Sequence, residues 1–285
     1  AISKTVNPKF CEVVETYLQN RDVEIIFIDA EDGKTDFSQI ENHIEGLAGL
    51  VVQSPNYYGV LENWTSAKEK LENSKTLLIA VSDPVSLSII KSPGDCGADI
   101  YAGEGQSLGN YMSYGGPFLG LLAVKSQLVR RMPGRIIGKT VDKEGKEGFV
   151  LTLQTREQHI RRENATSNIC TNQGLIALRA TIYMSIMGKS GLPALAKMCF
   201  EKVQYTAGKL SDLKNISFPF GMDFIKEFTI KINKSAKELK LNALKKSIFI
   251  NTIDGDKTDS LIQICVTEKR TLEEIDILID FLKTV

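Results

Sequence analysis

Asp83 ends the segment LLIAVSD and is followed at once by Pro84. On turn chemistry an Asp-Pro pair caps a helix or turns the chain, and that is the reading these two residues favour. A second polar group lies in REQHIRRE, where Arg156, His159 and Glu163 fall on one helical face with Arg161 and Arg162 beside it. Such a face suits an anion, another subunit or plain water. The stretch ATSNICTNQ then offers Thr166, Ser167, Asn168 and Thr171, small polar side chains fit for a helix entrance. Cys170 within it has no histidine in its motif and reads as a small buried residue rather than a nucleophile. Gly115, Gly116 and Gly120 precede an apolar strand, not a helix N-terminus, so they suit tight turning better than a phosphate cradle. Arg130, Arg131 and Arg135 lack the interleaved aromatics of a nucleic-acid groove.

Composition narrows the classes further. Lys plus Arg and Asp plus Glu each total 35 in 285 residues, so no global field draws the chain to nucleic acid or an acidic membrane surface. No run approaches the roughly 20 apolar residues of a bilayer crossing. Cys11, Cys96, Cys170, Cys199 and Cys265 are odd in number, dispersed and without a CxxC pair, which points to a reducing compartment, the cytoplasm, rather than a disulfide framework. His43 and His159 are the only imidazoles, too few for a histidine-rich metal centre. The sequence opens at Ala1 with neither Met nor a signal pattern, as a chain beginning in mid-protein would.

The elements that must position these residues alternate. Asn7 and Pro8 start a helix on Phe10, Val13, Val14, Tyr17 and Leu18. Val23 to Ile28 predicts a strand buried on both faces, and Ile40, Ile44 and Leu47 a second helix. Leu50 to Val52 makes a strand, Leu61, Trp64, Ala67 and Leu71 a third helix, and Leu77 to Val81 another strand. This βαβ rhythm predicts an α/β fold with a parallel-rich sheet. A glycine-bearing loop leads into Leu119 to Val124, and two helices, about Thr171 to Met187 and Leu192 to Leu213, break at Gly188 to Gly191. Strands at Phe228 to Ile232, Ile248 to Asn251 and Leu261 to Val266, with helices at Ala236 to Leu244 and from Leu272, predict a compact α+β unit. The expected division is 1–165, 166–214 as connecting helices, and 215–285.

That order resembles the fold type I pyridoxal phosphate (PLP) enzymes. The segments GADIYAGEGQSLGNYMSYGGP, RRMPGRIIG and above all LTLQTREQHIRRENATSNICTNQ resemble subunit 1, the N-terminal half, of the glycine cleavage system P-proteins. The likeness runs from NPKF to the last helix, without the N-terminal segment that in fold type I supplies the glycine-rich turn for the cofactor phosphate. It implies a large α/β domain whose N-terminal part is missing and a small C-terminal α+β domain.

The resemblance also implies roles. In fold type I enzymes a strand-end Asp pairs with the pyridinium nitrogen, and Asp83 stands there as a vestigial candidate beside its turn reading. Counted back from Gly115-Gly116-Pro117, the lysine that holds the cofactor aldehyde is replaced by Gln106, whose delocalised amide nitrogen cannot attack a carbonyl. Lys91 and Lys125 are the nearby lysines, and read as a surface and a strand-end residue. The family implication is therefore a non-catalytic chain, with no catalytic residue, no metal and no cofactor of its own. It would pair with a PLP-bearing subunit 2 in a heterotetramer that decarboxylates glycine and passes the aminomethyl group to lipoyl H-protein. Arg156, His159, Arg162, Asn168 and Thr171 are the candidate contacts to that partner. The alternatives are an autonomous PLP enzyme using another lysine, and a ligand-binding module on the same scaffold.

Overall fold

The computed structural model describes residues 1–165, 173–253, 255 and 259–284. The chain runs through β1 (Ile2–Ser3), α1 (Pro8–Leu18), β2 (Phe27–Ile28), a small hairpin of β3 (Ala30–Glu31) and β4 (Lys34–Thr35), and β5 (Gly49–Gln53). Then come α2 (Trp64–Glu69), β6 (Leu77–Val81), β7 (Ile100–Glu104) and β8 (Gly120–Val124). Six of these strands form one sheet in the order β2-β1-β5-β6-β7-β8. Every pairing in it is parallel except β7 with β8.

The local chemistry explains these elements. Asn7 caps α1 by accepting from the Lys9 amide at 3.0 Å, and Pro8 fills the first turn, where no backbone donor is needed. In β5 and β6 alternate residues point to one core: Leu50, Val52, Leu78 and Ala80 are fully buried with Trp64, Ala67 and Leu71. The opposite face, with Ile2, Val51, Ile79 and Val81, meets α1 across an apolar groove of about 840 Å³. Asp99 fastens the end of this layer: its carboxylate accepts from Lys68 Nζ at 2.9 Å, Lys125 Nζ at 2.7 Å and the Leu78 amide at 2.9 Å.

Several expectations shrink, among them the strand at Ile248 to Asn251, which is confined to Asn251–Thr252. The strand over Val23 to Ile28 is confined to Phe27 and Ile28, because its neighbour β1 has only two residues to pair with it, and Val23 stays exposed. The helix on Ile40, Ile44 and Leu47 is a 3-10 turn over Phe37–Asn42, capped by Asp36 at the Ser38 amide. The backbone leaves helical geometry at His43.

Beyond β8, β9 (Ile136–Val141) and β10 (Glu147–Thr152) form an antiparallel hairpin outside the elements expected above. Next come the single turn α3 (Gln158–Arg161) and the long α4 (Gly174–Ser211). The expected break falls inside α4 at Gly188, whose φ of 62° and ψ of −166° only glycine adopts readily.

The last part holds β11 (Ile216–Ser217), β12 (Glu227–Ile232), α5 (Ala236–Leu244), β13 (Asn251–Thr252), β14 (Leu261–Cys265) and α6 (Leu272–Lys283). Its four strands make an antiparallel sheet in the order β11-β12-β14-β13. Phe228, Ile230, Ile262 and Ile264 pack on Val203, Ala207 and Leu210 of α4 and on Ile275, Ile279 and Leu282 of α6. Thr271 and Glu274 close a reciprocal capping box at the start of α6.

The loop after β5 joins the two sheets. Thr229 Oγ1 donates to the Tyr58 carbonyl at 3.0 Å, and the Gln263 amide donates to the Tyr57 carbonyl. Gly59, at φ 89°, lies so close that a Cβ there would stand 2.1 Å from the Glu227 carbonyl oxygen. Among the described residues no helix is long and apolar enough to cross a membrane.

Candidate functional site

Asp83 stands just beyond β6, at the C-terminal edge of the parallel strands, where ligands of open α/β sheets gather. Its carboxylate is fully engaged. Oδ2 accepts from the Ser86 amide at 2.9 Å and the Ser86 hydroxyl at 2.8 Å, which is the turn-capping role open to an Asp-Pro pair. Oδ1 accepts from Ser107 Oγ at 3.1 Å and makes an ion pair with Lys226 Nζ at 2.8 Å. Lys226 immediately precedes β12, so the pair bridges the two sheets.

Both ions are sheltered, with side-chain exposures of 14% for Lys226 and 23% for Asp83. Burial opposes ionisation of Asp83, but the Lys226 ammonium and the Ser86 donors outweigh it and hold the carboxyl below the usual range. Burial likewise opposes the charge on Lys226, and Asp83 overcomes it and raises the amine above its ordinary value. Glu227 sits beside them without a matching cation of its own. Burial pushes its carboxyl up, and the Asp83 charge adds to this against the pull of Lys226. The Tyr101 phenol, which donates to the Ser82 carbonyl at 3.2 Å, is pushed up to about 12 by burial and then by Asp83.

Gln106 is next in sequence to Ser107, whose hydroxyl touches Asp83. The Gln106 carboxamide is folded into its own turn and donates to the Asn110 carbonyl at 2.6 Å. The Gln106 backbone N–H donates to Glu104 Oε1 at 2.9 Å. Lys91 is exposed, and Lys125 is spent on Asp99. The lysine that does reach Asp83 is Lys226, which the sequence reading did not consider.

The arrangement does not fit a pyridoxal ring on this chain. A carboxylate offers about four lone-pair sites. Four donors from this chain already approach Asp83, one of them the full cation of Lys226 on Oδ1.

The other candidates separate. REQHIRRE is not one helix: a 3-10 turn at Gln154–Arg156 precedes α3, and Arg162 leaves helical geometry at φ 54°. Arg156, His159 and Glu163 therefore do not form the expected helical face. Arg156 is buried and its guanidinium donates to the carbonyls of Met132 and Gly134, binding the turn before β9. His159 and Arg162 are exposed. Asn168 and Thr171, like Cys170, lie outside the described residues. Cys11, Cys96, Cys199 and Cys265 are free thiols. Among the described residues no cluster of three or more His, Cys, Asp or Glu side chains is placed to hold a metal ion.

This fold, a mainly parallel sheet with one antiparallel edge followed by a small antiparallel sheet, is the one that fold type I PLP enzymes share. A NifS-like protein from Rickettsia africae superposes with a TM-score of 0.71 over 99% of this chain and 74% of that one, at 12% identity, a likeness of fold alone. Sequence narrows the class. A glycine decarboxylase (P-protein) of the glycine cleavage system, solved in inhibitor-bound form, superposes with a TM-score of 0.92 over 99% of this chain and 64% of that one, at 34% identity. The probable glycine dehydrogenase (decarboxylating) subunit 1 of Desulforamulus reducens is 42% identical over 281 residues, 97% of this chain and 63% of its own length. That of Moorella thermoacetica is 42% identical over 98% of this chain and 64% of its own. The sequence model of the glycine cleavage system P-protein family matches residues 1–282, and the chain belongs to that family. It spans less than two thirds of the length of these curated relatives.

Proposed function

We propose that this chain is the non-catalytic subunit of a two-subunit glycine decarboxylase, paired with a homologous subunit that carries PLP. The observation that carries this reading is Gln106. The turn next to Asp83 is intact, yet it bears a carboxamide bound to its own backbone where an amine would be needed. The relatives' designation as subunit 1 supports a second subunit. The partner's PLP would supply the electron sink for glycine decarboxylation, and lipoyl H-protein would receive the aminomethyl group. An assembly of two copies of each subunit, working in the cytoplasm, completes the proposal.

On this reading residues 1–165 belong to a large α/β domain, 166–214 connect, and 215–285 form a small domain. The chain's own residues fix the scaffold: Asp99, Asp83 and Arg156 hold loops in place by charged hydrogen bonds. The exposed His159 and Arg162, with Asn168 and Thr171, are assigned to the partner contact. Lys226 does not favour an autonomous enzyme, because an ammonium held against a carboxylate has no lone pair with which to attack an aldehyde.

Glycine–bicarbonate exchange, measured on each full-length subunit alone and on their mixture with H-protein and PLP, tests the proposal. Exchange by the mixture and none by this chain supports it; exchange by this chain alone overturns it.

A further inference from the structure

Asp83 and Lys226 form a sheltered ion pair between the two sheets. A carboxylate left alone at a sheltered strand end would be a destabilising charge, and a cofactor-binding protein neutralises it with a protonated ring. Here the neutralising cation comes from the chain itself, reaching from the start of β12 to the end of β6 at 2.8 Å. It arrives beside the other contacts between the two sheets, those of Tyr57, Tyr58 and Gly59 with β12 and β14.

We propose that Lys226 is a tethered internal ligand of the former ring site: its ammonium gives Asp83 the cation that a pyridinium gives in cofactor-binding relatives, and in doing so excludes such rings and fastens the two sheets together. A tethered cation competes at a high effective concentration that a freely diffusing ring must overcome. The two sheets are thus held in one arrangement without a bound ligand. The inference rests on the fold class and on this chain's own residues, and not on which partner the chain takes.

Lys226→Ala should open the site and leave Asp83 uncompensated. In the full-length chain Tm should fall by roughly 5–10 °C, as for a broken sheltered ion pair. Added ethylammonium should restore stability saturably in Lys226→Ala, and pyridoxine, which has the ring without aldehyde or phosphate, should bind Lys226→Ala but not the parent chain. Neither effect should occur in Asp83→Asn/Lys226→Ala, where the carboxylate is gone. Lys226→Met and Asp83→Asn/Lys226→Met give a second reading that survives poor folding of the alanine variant. The double variant should be the more stable and more soluble of the two, since removing both charges is milder than stranding one. A Lys226→Ala chain within about 1 °C of the parent, equal rescue with and without Asp83, or a double methionine variant no better than the single one would each overturn the inference. None of these readouts depends on glycine decarboxylation, so its failure is distinct from failure of the subunit proposal.

Discussion

The Nζ of Lys226 lies 2.8 Å from Oδ1 of Asp83, joining residues that are separated by about half the sequence and belong to different sheets. Each stabilises the charged form of the other, and pH reveals this. Asp83 has its carboxyl lowered from an ordinary 3.8, so its contribution is complete above that value and is lost as pH falls through the lower folded one. Lys226 has its amine raised from 10.5, so its contribution is complete below that value and is lost as pH rises through the folded one. Asp83→Asn should therefore lower stability most between these limits, by roughly 3 kcal/mol, and by less in acid. Urea unfolding of parent and variant across pH measures it, with Glu227, Tyr101 and Cys265 as the other titrating neighbours of the pair. A difference that does not change with pH would contradict the assignment.

Glu227 has the opposite sign. Its folded carboxyl is raised above 4.5, so the folded chain loses stability as pH rises from that value towards the folded one. Glu227→Gln should raise Tm at neutral pH by about 2–4 °C, and the gain should vanish in acid, where both forms are neutral. Calorimetry at two pH values decides this.

Gly59 is the close approach between the sheets. Gly59→Ala must fit a methyl group against the Glu227 carbonyl at a φ of 89° that L-residues resist. A loss of roughly 3 kcal/mol or more is expected, the combined result of overpacking and backbone strain. Chemical denaturation of the variant checks it, and a loss under about 1 kcal/mol would show that the loop can move away.

Arg156 and its neighbours should divide by role. Arg156→Ala strands two carbonyls of the turn before β9 and should lower chain stability by roughly 2–3 kcal/mol. His159→Ala and Arg162→Ala, at exposed positions, should leave Tm within about 1 °C of the parent while weakening capture of the partner subunit. Thermal melts alongside sedimentation of the mixed subunits separate the two effects. Unchanged association in both exposed variants would move the interface elsewhere.

Sequence legibility followed the range of the forces. α1 was readable because Asn7, Pro8 and the apolar spacing are local signals, and β6 because five apolar residues in a row have few other fates. Gly188 announced the break in α4 through its own backbone freedom. β1 was invisible, since two residues carry no period and are strands only because β2 and β5 lie on either side. The β9–β10 hairpin did leave a trace: Asp142 accepts from the amides of Glu144 and Lys146, and Gly145 supplies the positive φ in the DKEGK turn.

The site divided in the same way. The turn role of Asp83 was legible in its Asp-Pro pair, and its carboxylate does cap Ser86; Gln106 is marked by a family motif alone, next to the Ser107 that touches Asp83. Lys226 carries no motif, and only the packing of β12 against the β5 loop brings it to Asp83. The REQHIRRE periodicity misled because carbonyls at Met132 and Gly134 draw Arg156 inward and Arg162 breaks the helix.

Gln106→Lys probes whether the amine alone is what the chain lacks. With Lys226 still on Asp83, the new lysine should not hold PLP, and the variant with added cofactor should show no absorbance of a bound Schiff base. Stable binding there would mean that Lys226 does not exclude the ring.

The most direct measurement is borohydride reduction of the full-length assembly of both subunits with PLP, followed by peptide mapping. A pyridoxyl-lysine is expected in the partner subunit alone; one on Lys226, Lys91, Lys125 or any other lysine of this chain would mean that this chain itself holds the cofactor.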